Sequence, residues 1–346
     1  MVFSSSHARR RSFSLKIAIV TIVDNATSYA EYVEAMNSVA CYARIHSYEY
    51  RVIIADSHTS GCVQDEMFFR RHCIVASILH NYDYILFLDA DIGVVNPNRT
   101  IEDYIEPGID ITFYDRFYTF EVMAGTYLVK NTAWARDFLN GWANYEYRLP
   151  SSFHGSDNGA LNIYLVELIA PSRDIELDLC RQIWNVSLDW NDVFVFTACV
   201  RNVLGDQAYF DNIKILKKGT GWARDSFLTN SKWNPLKDFM LHDMKLAYRR
   251  YYRPLTVVLP IRTMEMHTWY NPFVGNFHLE LCHSGNSSWN YDKQLIIPVS
   301  ELEERYRKKY IEVHLQKLRA LVRVGKLVEK YVSQASLSYF ARYSDV

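Results

Sequence analysis

Tyr84-Ile-Leu-Phe-Leu-Asp89-Ala-Asp91-Ile-Gly-Val-Val-Asn-Pro97 carries five consecutive apolar residues, two carboxylates two positions apart, and a proline-bearing turn. An unbroken apolar run, rather than an alternating one, is what a β-strand covered on both faces requires. Just past the end of such a strand the chain leaves the extended form, so Asp89 and Asp91 can turn towards one point. Two oxygen donors there can hold Mg²⁺ or Mn²⁺ and leave its other positions to water and phosphate. Open α/β sheets bind ligands outside the carboxyl ends of their strands, which is where this pair falls. The plain alternative is a strand end with two solvated aspartates.

The flanking sequence repeats a strand–helix alternation. Lys16–Val23 reads as a buried strand, Tyr29–Tyr42 as a helix and Tyr50–Ala55 as a second strand rich in β-branched residues. Asp65–Leu79 reads as a helix with Phe68, Val75, Ile78 and Leu79 on one face. Further on, Ile109–Tyr114 and Val122–Val129 are expected strands, and Asp137–Tyr145 and Asp157–Leu168 expected helices. Beyond Leu168 the Trp- and Asn-rich segments suggest loops and short strands. Ser300 and Glu303 form a capping-box pattern. It opens a basic amphipathic helix whose Ile311, Leu315, Leu318 and Val322 are expected to pack on the domain. The expected organisation is an unstructured tail (1–14), one α/β domain (15–299) and a C-terminal helix (300–335). Its sheet should be mixed but mainly parallel, with helices on both faces.

Composition narrows the function. Of 346 residues, 38 are Lys or Arg and 39 Asp or Glu, a balance that argues against a dedicated nucleic-acid binder. No run reaches the roughly 18–20 apolar residues that span a bilayer. Arg9–Arg11 before Ile17–Val23 has the outline of a secretory leader, but Asp24 follows at once without a small-residue cleavage pattern. Aromatic residues make up 15%, with 25 Tyr and 8 Trp, which suits either a site for polar rings or an aromatic core. Six cysteines without C-x-x-C spacing argue against structural zinc and permit disulfides. Sequons begin at Asn25, Asn98, Asn185 and Asn286. The compartment stays open on these grounds.

Downstream of the D-x-D pair stand Ile109–Arg116, Met123-Ala-Gly-Thr-Tyr-Leu-Val-Lys-Asn131, His154-Gly-Ser-Asp-Asn-Gly-Ala-Leu-Asn162 and Asp238-Phe-Met-Leu-His242. With these segments the chain resembles the GT-A-type glycosyltransferases, which move a sugar from a nucleotide-diphosphate donor. More closely, it resembles a nematode-expanded family first described as a domain of unknown function. The resemblance implies a GT-A-like fold and a Mn²⁺ or Mg²⁺ ion held by Asp89, Asp91 and His242. It implies a nucleotide-sugar donor, a glycan, protein or lipid acceptor, and a secretory-lumen location. Thr21, Arg71, Asp89, Ala124, Gly125 and Lys245 are the implied donor contacts, Arg71 for phosphate and Lys245 for the departing diphosphate. Asp157 and Asn158 match the first two positions of the D-Q-x-x-L-N pattern of retaining enzymes, with Asn for Gln. They are the implied catalytic pair on the sugar side of the cleft.

The residues also have physical readings of their own. Gly125 supplies free φ and no Cβ in a ligand's path. A neutral His242 imidazole is a good third metal ligand, whereas His267, His278 and His283 have no comparable support. An Asp at position 157 would equally serve the dipole of its helix. Relatives often carry a Gly between the His and the Lys, where this chain has Asp243 and Met244. Two other functional readings share the D-x-D pair. One is a haloacid-dehalogenase-type phosphatase with Asp89 as nucleophile, although Gly93 stands where that family expects Thr or Val. The other is a non-catalytic transferase fold that binds nucleotide sugars or carbohydrate.

Overall fold

The computed structural model describes residues 15–25, 28–55, 61–250, 267–283 and 289–343. The expected 1–14 tail and the sequon at Asn286 lie outside them. The strands are β1 (Ile17–Val23), β2 (Glu49–Ile54), β3 (Tyr84–Leu88), β4 (Gly93–Val94), β5 (Ile111–Tyr114), β6 (Thr126–Lys130), β7 (Tyr209–Phe210), β8 (Ile213–Leu216), β9 (Ala223–Asp225) and β10 (Met240–His242). The helices are α1 (Ser28–Glu31), α2 (Val33–His46), α3 (Met67–Ile78), α4 (Ala133–Ala143), α5 (Ser156–Ile169), α6 (Asp174–Trp184), α7 (Trp190–Leu204) and α8 (Val299–Tyr343).

Seven strands form the main sheet in the order β2-β1-β3-β6-β5-β8-β7. β1 runs parallel to β2 and β3, and β5 parallel to β8. The pairs β3–β6, β6–β5 and β8–β7 are antiparallel, so the sheet is mixed, as expected, with as many antiparallel as parallel pairings. Both faces of the central strands are buried, as their unbroken apolar runs require. Ala18, Val20, Ile85 and Phe87 face a core shared with α3, α4, α5 and α7. Ile17, Ile19, Leu86 and Leu88 face α2, Trp222 and Phe239.

A second, three-stranded sheet, β4-β10-β9, positions the candidate site. β10 pairs antiparallel with β4, just after Asp91, and parallel with β9, His242 lying opposite Asp225. The Met244 N–H also donates to the Asp91 carbonyl at 2.9 Å. Residues about 150 positions apart are thereby fixed side by side by backbone pairing.

Several expected elements differ. α3 buries Phe69, Arg71, His72, Ile74 and Val75 and leaves Phe68 44% exposed, because its inner face includes two polar residues that an apolar count passes over. Where loops were expected after Leu168, α6 and α7 form. Asp189 caps α7 by accepting from the N–H groups of Asn191 and Asn191's neighbour Asp192. α8 starts one residue earlier and runs further than 300–335. Its Ser300 lies inside the first turn, where the Glu301 and Leu302 N–H groups both donate to the Pro298 carbonyl. Up to residue 330 it buries Leu302, Val313 and Ala320, whereas Ile311, Leu315, Leu318 and Val322 stay 47–61% exposed. Its packing on the core uses Val313, Ala320, Leu321, Val324 and Leu327 instead of the residues the spacing picks out.

The cysteines pair as Cys41–Cys282, Cys62–Cys73 and Cys180–Cys199. No described helix is long and apolar enough to cross a membrane.

Candidate functional site

Asp89 leaves the end of β3 with its N–H bonded to the Gly125 carbonyl at 2.8 Å, which locks the two segments together. Asp91 follows within the turn. One oxygen each from Asp89 and Asp91 and a ring nitrogen of His242 lie within 4.8 Å of one another. Two hard carboxylate oxygens with an imidazole suit Mn²⁺ or Mg²⁺, with positions left for diphosphate oxygens. His242 Nε2 stands 3.3 Å from Asp91 Oδ1. Its Nδ1 faces Asp225 Oδ1 at 2.9 Å. Burial works against charge on His242, yet Asp91, Asp243 and the bond to Asp225 outweigh it and raise its pKa. Burial likewise opposes the Asp91 charge, but His242 and Lys245 hold that carboxyl below its usual range. Asp89 moves the other way, raised by burial and by its neighbour Asp91 against the pull of Arg71. Two carboxylates crowded at one point are stabilised together by an added cation, and the donor set fits one.

Lys245 lies 3.6 Å from Asp91 Oδ2 with its side chain 35% exposed. Its amine therefore borders the carboxylates and still reaches solvent. Thr21 is buried, and its hydroxyl accepts from Tyr50 at 3.3 Å. The pairing of Val20 with Phe87 sets it beside the end of β3.

A buried network backs the carboxylates. Arg71 donates to Asp89 through Nη1, and to Asp157 Oδ2 through Nη2 at 2.6 Å. Its neighbour Arg70 is spent on the carbonyls of Ala55, Gln64 and Asp65. His72 Nε2 lies 3.0 Å from the same Asp157 oxygen, and its ring stacks on Trp142 at 3.5 Å. Burial, then Arg71, lowers the His72 pKa to about 4, so the ring is neutral and donates its Nε2 proton to Asp157. Arg71 already supplies the charge that Asp157 needs. Asp157 was expected to face the cleft. It is fully buried, because its helix turns it inward onto Arg71 and His72. Arg71, expected at the donor phosphate, has both terminal nitrogens bonded to carboxylates. Asn158, one position on, is half-exposed at the first turn of α5.

Ala124 is fully buried and offers a ligand no surface. At Gly125, any Cβ would run into the Asp89 carboxylate, so this glycine makes room for a site side chain. Asn162 of α5 accepts from the Val122 N–H at 3.1 Å and so holds the strand leading into Met123-Ala124-Gly125.

Three contributors escaped the sequence reading. Asp225 orients His242 and is itself held by Arg116 at 2.7 Å, which also donates to Glu121 at 3.0 Å. Asp243 takes up a left-handed backbone, φ 74°, a conformation that favours glycine. His267 reaches Asp243 Oδ1 at 2.8 Å. Arg116 lies within a quoted segment, and the φ requirement at 243 is the one local signal the others had.

The chain is thus an α/β domain with an Asp–Asp–His cluster at the carboxyl end of β3. Over residues 39–257 the chain matches, and belongs to, the family described as a protein of unknown function, DUF273. Among curated proteins none matches. Among solved structures, a glycosyltransferase involved in glycosylation of the major capsid of PBCV-1 aligns at 14% identity, over 65% of this chain and 93% of its own, with a TM-score of 0.38. The glycosyltransferase GlyE of Streptococcus pneumoniae TIGR4 aligns at 16% identity over 43% of each chain, TM-score 0.33. The catalytic domain of Drosophila beta1,4galactosyltransferase 7 aligns at 9% identity over 60% of this chain and 66% of its own, TM-score 0.27. At these values the likeness does not extend to chemistry.

Proposed function

We propose that this protein is a metal-dependent glycosyltransferase acting on a nucleotide-diphosphate sugar. The observation that carries the reading is the convergence of Asp89, Asp91 and His242 at the carboxyl end of β3, with Lys245 at its rim. The sequence motifs that resemble GT-A enzymes support it, and β10 brings the two halves of that pattern together. A divalent ion held there supplies Lewis-acid stabilisation of the diphosphate oxygens. Asp89, Asp91 and His242 would hold that ion, with Asp225 fixing the ring so that Nε2 faces it. Lys245 adds a positive charge where the bond from the anomeric carbon to the diphosphate oxygen breaks. With Asp157 sealed, the half-exposed Asn158 is the member of its pair that would touch the sugar. The resemblance around Asp157–Asn162 makes retention of anomeric configuration the expected outcome. Three disulfides and the exposed sequon residues Asn98 and Asn185 suit an oxidising secretory lumen.

The test is calorimetric titration of a nucleotide-sugar panel into the full chain, with Mn²⁺ or with chelator, alongside Asp91→Asn. One nucleotide class should bind only with metal, and the variant should lose at least tenfold in Mn²⁺ affinity. Failure of folded, metal-loaded protein to bind any member of the panel would overturn the reading. Binding without donor hydrolysis or transfer would point to the non-catalytic alternative.

A further inference from the structure

Asp115 and Arg116 close β5 and diverge. Arg116 turns to Asp225 and the metal cluster, whereas Asp115 turns to the opposite side and accepts from Arg201 Nη2 at 2.8 Å. On that side lies a separate cavity of about 450 Å³, walled by Asp115 and Phe120, by Arg201 of α7, by Lys217 and Lys218 after β8, and by Tyr310 and Lys317 of α8. That volume lies within the range of small-molecule sites. Its charge is lopsided. Arg201, Lys217, Lys218 and Lys317 face Asp115 and Asp206, and the Asp206 side chain is 90% exposed.

The two innermost cations are incompletely satisfied. Arg201 is 5% exposed, and its Nη1 is buried without a hydrogen-bond partner. A buried guanidinium nitrogen left unpaired is costly, and native structures rarely keep one without a ligand or water to meet it. Lys218 points its amine at the Arg116 and Thr119 carbonyls, and no carboxylate bonds it. Burial pushes its pKa down to about 8, Arg201 and Lys317 adding repulsion against the pull of Asp115 and Glu121. A negative ligand would answer both groups. Phe120 and Tyr310 line the same space and offer apolar surface to a ring.

We infer that this cavity is an anion site distinct from the metal cluster, taking a phosphate, sulfate or carboxylate, free or carried on a sugar-sized ring. It is independent of the transferase reading, since none of its wall residues belongs to the Asp89–Asp91–His242 set. Its α8 wall also lies outside the 39–257 segment that matches the family.

The test uses the full chain in chelator, titrated with inorganic phosphate, glucose 6-phosphate, glucuronate and glucose, and followed by calorimetry and by thermal shift. The charged probes should bind saturably and glucose should not. Asp91→Asn should leave their affinity unchanged. Lys317→Glu, at the α8 wall of the cavity, should weaken them at least fivefold without lowering Tm, and Arg201→Gln should abolish binding. Tighter binding of glucose 6-phosphate or glucuronate than of phosphate identifies a ring-borne anion, and equal binding a free one. No saturable binding of any charged probe by folded protein, or affinity indifferent to Lys317→Glu, overturns the proposal. So does loss of binding in Asp91→Asn, which would assign the probes to the metal cluster.

Discussion

His242 illustrates how much one ring depends on the group behind it. A metal-binding imidazole needs its remote nitrogen protonated so that the near one presents a lone pair, and a carboxylate on that side fixes the tautomer. Asp225 occupies that position at 2.9 Å, braced by Arg116. Asp225→Asn keeps the shape and removes the charge. It should weaken Mn²⁺ binding by about 10–100-fold, read by Mn²⁺ electron paramagnetic resonance, with the far-ultraviolet circular dichroism unchanged. Wild-type affinity in this variant would mean that the orientation of the ring comes from β10 alone. Asp89 and Asp91 were legible in the sequence because their chemistry is local: two carboxylates at the end of one apolar run. Asp225 was not, because its partner is fixed by strand pairing and not by spacing.

At the scale of elements, the Asn162 side chain ties α5 to the segment that leads into β6. Asn162 accepts from the Val122 N–H, and its own amide donates to the Asn158 carbonyl at 2.7 Å. Asn162→Ala leaves the buried Val122 N–H unsatisfied, a cost of about 1–3 kcal/mol. The urea midpoint should fall accordingly, and Asn162→Asp, which keeps an acceptor, should recover much of it. The Asp157 that α5 turns onto α3 shows why periodicity misread α3. A helix that buries Arg71 and His72 to hold a carboxylate hides part of its inward face from any count of apolar residues. α6 and α7 were missed for a related reason. The Trp, Phe and Val residues of α7 favour strands locally and its packing on α5 overrides that preference, while α6 carries only a short buried face of Leu177, Cys180, Ile183 and Trp184.

Across the whole molecule, the Arg71–Asp157–His72 network ties stability to pH. His72 is neutral in the folded state down to about pH 4. Its ordinary pKa is about 6.5. Above that value neither state protonates the ring and nothing is lost. As pH falls from about 6.5 towards 4, the unfolded chain takes a proton that the folded chain refuses, so stability declines. The loss amounts to roughly 3 kcal/mol once both values are passed. Urea midpoints between pH 4 and 7 should show this slope, and His72→Gln should flatten it; equal slopes in the two proteins would contradict the assignment. The sequence by itself determined the strand–helix alternation, the buried β3 and the acidic pair at its end, because apolar periodicity and adjacent carboxylates are properties of contiguous residues. The tertiary structure alone decided that Asp157 is sealed, that Gly125 clears space for Asp89, that Asp225 stands behind His242, and that cations on α7, the turn after β8 and α8 enclose one cavity. Each of these rests on contacts between residues far apart in the chain, and only the packing of the sheets and helices brings such residues within reach of one another.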